Sequence, residues 1–113
     1  MAAEESSSTN HQSVTYAVYS WAFKEDAPVE EIERAFDEMC AMGDPIPGVR
    51  RATWGRNTAD DGHARGHTHA MIVIADSPEA VSAYNERTSK HPMADTLHGA
   101  EKAGVGIFFT QSA

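Results

Sequence analysis

The segment Val14–Phe23, VTYAVYSWAF, contains no glycine, no proline and no charge. Its β-branched and aromatic content reads as a strand. Alternation along a strand sends Tyr16 and Val18 to one face and Tyr19, Trp21 and Phe23 to the other. A strand with one wet face interleaves apolar and polar residues, and this one is bulky on both sides. It therefore predicts a sheet covered twice, once by the chain's own helices and once by something else. A second copy of the same chain is the expected cover.

Working outward, Asp26, Ala27 and Pro28 are suited to capping a helix and fixing its first turn. Val29, Ile32, Phe36, Met39 and Cys40 then recur at helical spacing, an apolar stripe expected to end at Gly43. Glu30, Glu33, Arg34 and Asp37 fall on the opposite, solvated side. Pro45 and Pro47 cannot continue a helix, so 44–48 is a connection. Val49–Asn57 reads as a second strand, and the polar, glycine-containing stretch 58–66 as a long loop. His67–Ala75 is the third and most apolar strand. Ser77-Pro78 opens a helix running past Tyr84, and His91-Pro92 opens another in which Met93, Leu97 and Ala100 share a face. Gly104–Thr110 closes the chain as a fourth strand. Its glycines flank no helix start and suit close backbone approach on an edge or barrel strand.

The order strand, helix, strand, strand, helix, helix, strand predicts an α+β fold. It is a ferredoxin-like, four-stranded antiparallel sheet with helices on one face. The 113 residues suffice for one domain, expected over 14–113, after a polar leader at 1–13. Nine Lys and Arg against 17 Asp and Glu leave a net charge of −8, which argues against nucleic acid and anionic membrane as partners. No apolar run approaches the ~20 residues of a membrane span. The leader lacks the cationic start and apolar stretch of a secretory signal, and the single Cys40 permits no internal disulfide. A cytoplasmic location is expected.

Several local matches, in order, carry a family resemblance. Phe23-Lys24-Glu25 ends the first strand and Ile46-Pro47-Gly48-Val49 enters the second. Trp54-Gly55-Arg56-Asn57 leaves that strand, Gly66-His67-Thr68-His69-Ala70 opens the third, and Tyr84 and His91-Pro92 follow. With these motifs the chain resembles the stress-responsive A/B-barrel domain family (Dabb), within the dimeric α+β barrel superfamily. The resemblance spans everything after the leader. It implies a homodimer, two sheets forming a closed barrel, with a cleft between sheet and helices in each subunit. Members look like structural or heat-stable stress proteins. A few resemble catalysts that close polyketide chains by aldol chemistry or cleave cyanohydrins, using cleft tyrosine and histidine and neither metal nor cofactor. The cyclase-like pattern is a tyrosine, two intervening residues, then His-Pro-x-His. Here Asn85–Lys90 separate Tyr84 from His91, and the second histidine falls on Ala94. The histidine near the start of the first strand is replaced by Tyr16 or Ala17.

The candidate chemistry follows. Tyr84 is the expected donor to a developing enolate oxygen, and His69, with His91 or His98, the expected base. His98 lies one turn beyond Ala94, so His91, Ala94 and His98 share a helix face. The plain alternatives are a capping His91, a surface His98 and a buried structural His69. His67 and His69 alternate on their strand and, with His63, form a weak metal-ligand pattern; no metal is assigned. Arg50, on the strand face of Ala52 and Trp54, is either a carboxylate anchor or a surface residue. Phe36, Trp54, Met71 and Val73 are the expected apolar wall for a ligand, and Cys40 a packed thiol. The leading expectation is a dimer binding a small, partly apolar organic molecule. As an enzyme it would be a metal-free cyclase, isomerase or lyase acting on a carbonyl compound. The alternative is a non-catalytic stress or scaffold protein.

Overall fold

The computed structural model describes residues 13–59 and 62–112. The expected leader, Ser13 excepted, and the pair Asp60 and Asp61 lie outside the described residues. The elements are β1 (Val14–Phe23), α1 (Val29–Ala41), β2 (Val49–Arg56), β3 (His69–Ala75), α2 (Pro78–Ser89), α3 (Pro92–Ala100) and β4 (Glu101–Gln111). The strands form one antiparallel sheet in the order β2-β3-β1-β4, with the helices on one face: the α+β ferredoxin-like arrangement. No helix among the described residues is long and apolar enough to cross a membrane.

The expected stripe places α1 on the sheet, where Ile32, Ala35, Phe36 and Met39 are buried. Two expectations at its ends change. Pro28 is the N-cap and makes no side-chain bond there, so Asp26 does not cap the helix. The helix ends at Ala41, two residues short of Gly43, and Val29 stands exposed in its first turn. α2 starts as expected, with Ser77 Oγ accepting from the Ala80 N–H at 3.2 Å ahead of Pro78. Gly48 joins α1 to β2 with φ of 88°, and a Cβ there would lie 2.9 Å from that of Ala80. Only glycine satisfies both demands.

β3 begins at His69 rather than His67. His67 belongs to the preceding turn, its N–H bonded to the Ala64 carbonyl. β4 is longer than expected, because it pairs with β1 along that strand's whole length. The pairing slips once. Ala22 faces Ala103 while Phe23 faces Glu101, so Lys102 is an extra residue, a β-bulge at the start of β4.

The helix-facing side of β1 carries Thr15, Ala17, Tyr19, Trp21 and Phe23, and the core forms beneath them with Met71, Val73, Ala75, Phe36, Val81, Tyr84 and Leu97. On the other face no helix packs among the described residues. Cross-strand pairing brings Tyr16 and Val18 beside Ile74 and Ile72 on one flank and Phe109 and Ile107 on the other. Tyr16 stacks on Phe109 at 5.0 Å between ring centres. Val105, Ile107 and Phe109 remain 49%, 58% and 47% exposed. Both faces of β1 are thus apolar, and the described residues cover only one.

Candidate functional site

α2 and α3 cover the middle of the sheet and leave the β4 side open. Between them and the strands β1 and β4 lies a cleft of about 330 Å³. Its floor is Tyr19, Trp21, Gly104 and Gly106; its walls are Asn85, Thr88 and Ser89 from α2 and Ala94, Leu97 and His98 from α3. Met39, Glu101 and, at the β4 edge, Val105 complete it. The size suits a small organic molecule.

Polar groups converge on this apolar shell. The Tyr19 hydroxyl donates to Asn85 Oδ1 at 2.6 Å, which fixes the ring and leaves its oxygen lone pairs for a ligand. Burial raises the Tyr19 pKa, and the Asn85 hydrogen bond opposes this only in part. Thr88 Oγ1 donates to the Tyr84 carbonyl at 3.0 Å and Ser89 Oγ to that of Glu86 at 2.9 Å. His98 enters from the last turn of α3.

The sequence pointed to a different tyrosine. Tyr84 is completely buried and does not line the cleft. Its hydroxyl donates to the Met39 carbonyl at 2.5 Å, tying α2 to the end of α1. Burial drives its pKa far upward. A hydroxyl sealed against a backbone carbonyl cannot serve a substrate, so Tyr84 is a packing residue. Counting three residues back from His91, as the cyclase-like pattern does, arrives at Thr88. Thr88 and Ala94, the positions of the pattern's tyrosine and second histidine, both line the cleft. The geometry of that pattern survives while its chemistry does not.

The histidines separate. His91 caps α3, its Nδ1 accepting from the Met93 N–H at 3.1 Å, and does not line the cleft. His69 is buried on the far side of the sheet's helical face, against Phe23, Phe36 and Trp54. Its Nε2 meets Glu33 Oε2 at 2.8 Å and its Nδ1 meets Thr68 Oγ1 at 2.7 Å, so both ring nitrogens are engaged. Glu33 also receives a forked bond from Arg56. Arg56 first, then His69, lowers the Glu33 carboxyl to about 2. Glu33, expected to be only a solvated surface residue, is thus a structural partner. Only His98 of the expected bases reaches the cleft.

His67 Nδ1 lies 2.8 Å from Ser20 Oγ, and Ser20 is on the face away from the helices. His67 and His69 therefore do not share a face, because the strand starts only at His69. Among the described residues no three His, Cys, Asp or Glu gather as metal ligands. Arg50 sits at the sheet's edge, its Nε 2.5 Å from Asp76 Oδ1, away from the cleft. The expected ligand wall is core instead. Phe36, Met71 and Val73 are buried beneath the helices, and Trp54 stacks on Phe36 while its indole N–H donates to Asp37 at 2.7 Å.

Tyr19, Asn85 and Glu101 are cleft residues that the sequence reading left out. Tyr19 had a signal, a polar ring in the helix-facing register of β1. Glu101 had none, since the bulge that turns it is not written in any residue pattern.

The fold and cleft define an α+β barrel protein of ferredoxin-like topology. The stress responsive A/B barrel domain matches the chain over residues 15–100. The chain belongs to this family. Among curated proteins none matches the sequence significantly. A protein of Arabidopsis thaliana has a similar structure, with TM-score 0.71 and 21% identity over 88% of this chain and 96% of that one. A dimeric ferredoxin-like protein of unknown function from Thermobifida fusca gives 0.71 at 11% identity, covering 88% and 92%. The hydroxynitrile lyase of Passiflora edulis gives 0.66 at 15% identity, covering 88% and 94%. At these identities the likeness is one of fold.

Proposed function

We propose that the protein is a homodimer whose cleft binds a small, partly apolar organic molecule, and that it works in the cytoplasm without metal or cofactor. The observation that carries this reading is the convergence of Tyr19, Asn85 and His98 on an otherwise apolar cleft. The uncovered apolar sheet face supports the dimer, as do neighbours described as dimeric. A second copy on that face leaves each cleft free, because cleft and uncovered face lie on opposite sides of the sheet.

Within this reading the finer chemistry is acid–base work on a carbonyl compound, as in a cyclase, isomerase or lyase. A ligand carbonyl oxygen accepts from the Asn85 side-chain amide, whose Oδ1 is held by Tyr19, and His98 is the group suited to moving a proton. A lyase of the same fold supports the chemical class. The non-catalytic alternative draws on one observation: Thr88 and Ala94 stand where the cyclase-like pattern has its tyrosine and its base.

The test is a thermal-shift and turnover screen of carbonyl and phenolic compounds with the wild type, Tyr19→Phe and His98→Ala. Binding that weakens in Tyr19→Phe supports the cleft, and turnover lost in His98→Ala with binding retained supports the acid–base role. Stable protein with no shift from any compound favours the structural alternative.

A further inference from the structure

The β-bulge at the start of β4 has a consequence for what the cleft selects. Gly104 pairs with Trp21 and so lies on the helix-facing side of the sheet. Regular alternation would put Lys102 on that side and Glu101 on the opposite one. The slip between Ala22 and Phe23 reverses the two. Glu101 pairs with Phe23 on the cleft side, and Lys102 is the extra, exposed residue. Gly104 makes room for the result: a Cβ built there would lie 3.1 Å from Glu101 Oε2 and 3.3 Å from Oε1. The carboxylate therefore lies over the bare glycine, on the floor of the cleft. Bulges beside binding sites re-aim side chains in this way.

The hydrogen-bond inventory says what such a carboxylate would meet. The protons of Tyr19, Thr88 and Ser89 are all committed to other acceptors of the protein. These hydroxyls offer a ligand lone pairs only, and the side-chain donors in the lining are the Trp21 indole, the Asn85 amide and the His98 ring, none of them a fixed positive charge like Lys or Arg. Among the described residues no Lys or Arg lines the cleft, and Glu101 forms no ion pair. The floor beside it is the stacked pair Tyr19 and Trp21, with ring centres 5.9 Å apart. A carboxylate, acceptor oxygens and aromatic faces are the environment of an organic ammonium group. An anionic ligand would meet repulsion.

Building on the cleft-binding reading above, we propose that Glu101 is its specificity-determining residue and that the ligand is a protonated amine with an apolar or aromatic body. The ammonium group donates to Glu101 while the body lies along Tyr19, Trp21 and Leu97. Gly104 is a positioning residue that allows the carboxylate to lie flat.

The test uses three probes of one skeleton, 2-phenylethylamine, 2-phenylethanol and phenylacetate, titrated into the full chain at pH 7 with affinities read from cleft-residue NMR shifts. The wild type is expected to bind the amine about tenfold more tightly than the alcohol, the worth of one charge-assisted hydrogen bond, and the acid least. In Glu101→Gln the amine-to-alcohol ratio collapses toward one. Gly104→Ala, which displaces the carboxylate without altering its charge, lowers the same ratio, and melting curves of both variants control for folding. Equal or tighter binding of the alcohol or acid by the wild type, or a preference that survives in Glu101→Gln, overturns the assignment while leaving the cleft a binding site. Absence of cleft-signal shifts with all three probes overturns the amine assignment, and the screen of carbonyl and phenolic compounds then decides the cleft reading itself.

Discussion

Replacing Tyr84 by Phe separates the tyrosine that packs from the tyrosine that binds. The substitution removes a single atom, the hydroxyl whose proton goes to the Met39 carbonyl at 2.5 Å. The ring stays in place in the core, so the void left behind is no larger than one oxygen atom. The carbonyl left behind still accepts from the Met42 N–H at 3.2 Å, which places the cost at the low end for a buried bond, about 1 kcal/mol. For a chain of this length that is a fall of about 4 °C in melting temperature. The assay is thermal unfolding at fixed protein concentration, since dissociation of a dimer would shift the midpoint by itself. The same samples are then titrated with cleft ligands, whose affinity is expected to match that of the wild type. Tyr19→Phe should show the converse, with weakened ligand binding. Loss of binding in Tyr84→Phe at unchanged stability would return Tyr84 to the site and refute the packing assignment.

Other outcomes follow from the same structure. Glu33 titrates near 2 in the folded chain against an ordinary 4.5, so its contribution is complete above about pH 4.5 and is lost as pH falls toward 2. Acid unfolding of Glu33→Gln should be flatter across that window, and an unchanged acid limb would remove the Arg56–Glu33–His69 network from the stability account. The Cys40 thiol, pushed up to about 11 mainly by burial, carries roughly a hundredfold less thiolate at pH 8 than a thiol of ordinary value 9.0. Iodoacetamide should label it correspondingly slowly in the native protein and rapidly after denaturation. Ile107→Lys puts a charge on the uncovered sheet face, and sedimentation should show particles of the 12.3 kDa chain mass in place of twice that value. A wild type sedimenting only at the single-chain mass would refute the dimer.

The sheet was legible because its signals are local and redundant. β1 has no breaker, Ser77-Pro78 and His91-Pro92 mark helix starts, and the α1 stripe repeats at one period. The site was less legible, for two physical reasons. A helix residue's fate depends on a small rotation. Tyr84 and Thr88 are one turn apart on α2, and both are buried, yet the first is sealed against α1 while the second reaches the cleft. Apolar periodicity does not separate them. Arg50, Phe36, Met71 and Val73 erred differently. Arg50 falls at the register slip between Val49 and Arg51 and stands exposed at the sheet edge, while Phe36, Met71 and Val73 lie where α1 and α2 pack on β2 and β3; among the described residues the opening lies on the β4 side. Which half of a sheet its helices leave open is a property of the assembled layers.

The bulge at Lys102 extends this reasoning from position to charge. In a regular strand the cleft floor would carry a lysine, and with His98 it would suit an anionic oxygen ligand. One inserted residue exchanges that cation for Glu101 and turns the cleft toward donors and positive charge. The exchange needs Gly104 beneath the carboxylate and Tyr19 and Trp21 beside it, all set by the β1–β4 register. The same register pairs Val18 with Ile107 and Tyr16 with Phe109 on the uncovered face. A slip that restored Lys102 to the cleft would have to move the whole strand or remove the bulge, and moving the strand by one residue would send Ile107 and Phe109 toward the helices. The apolar uncovered face thereby holds the register that keeps an acid in the cleft, so the surface suited to a second copy and the selectivity of the site depend on a single strand pairing.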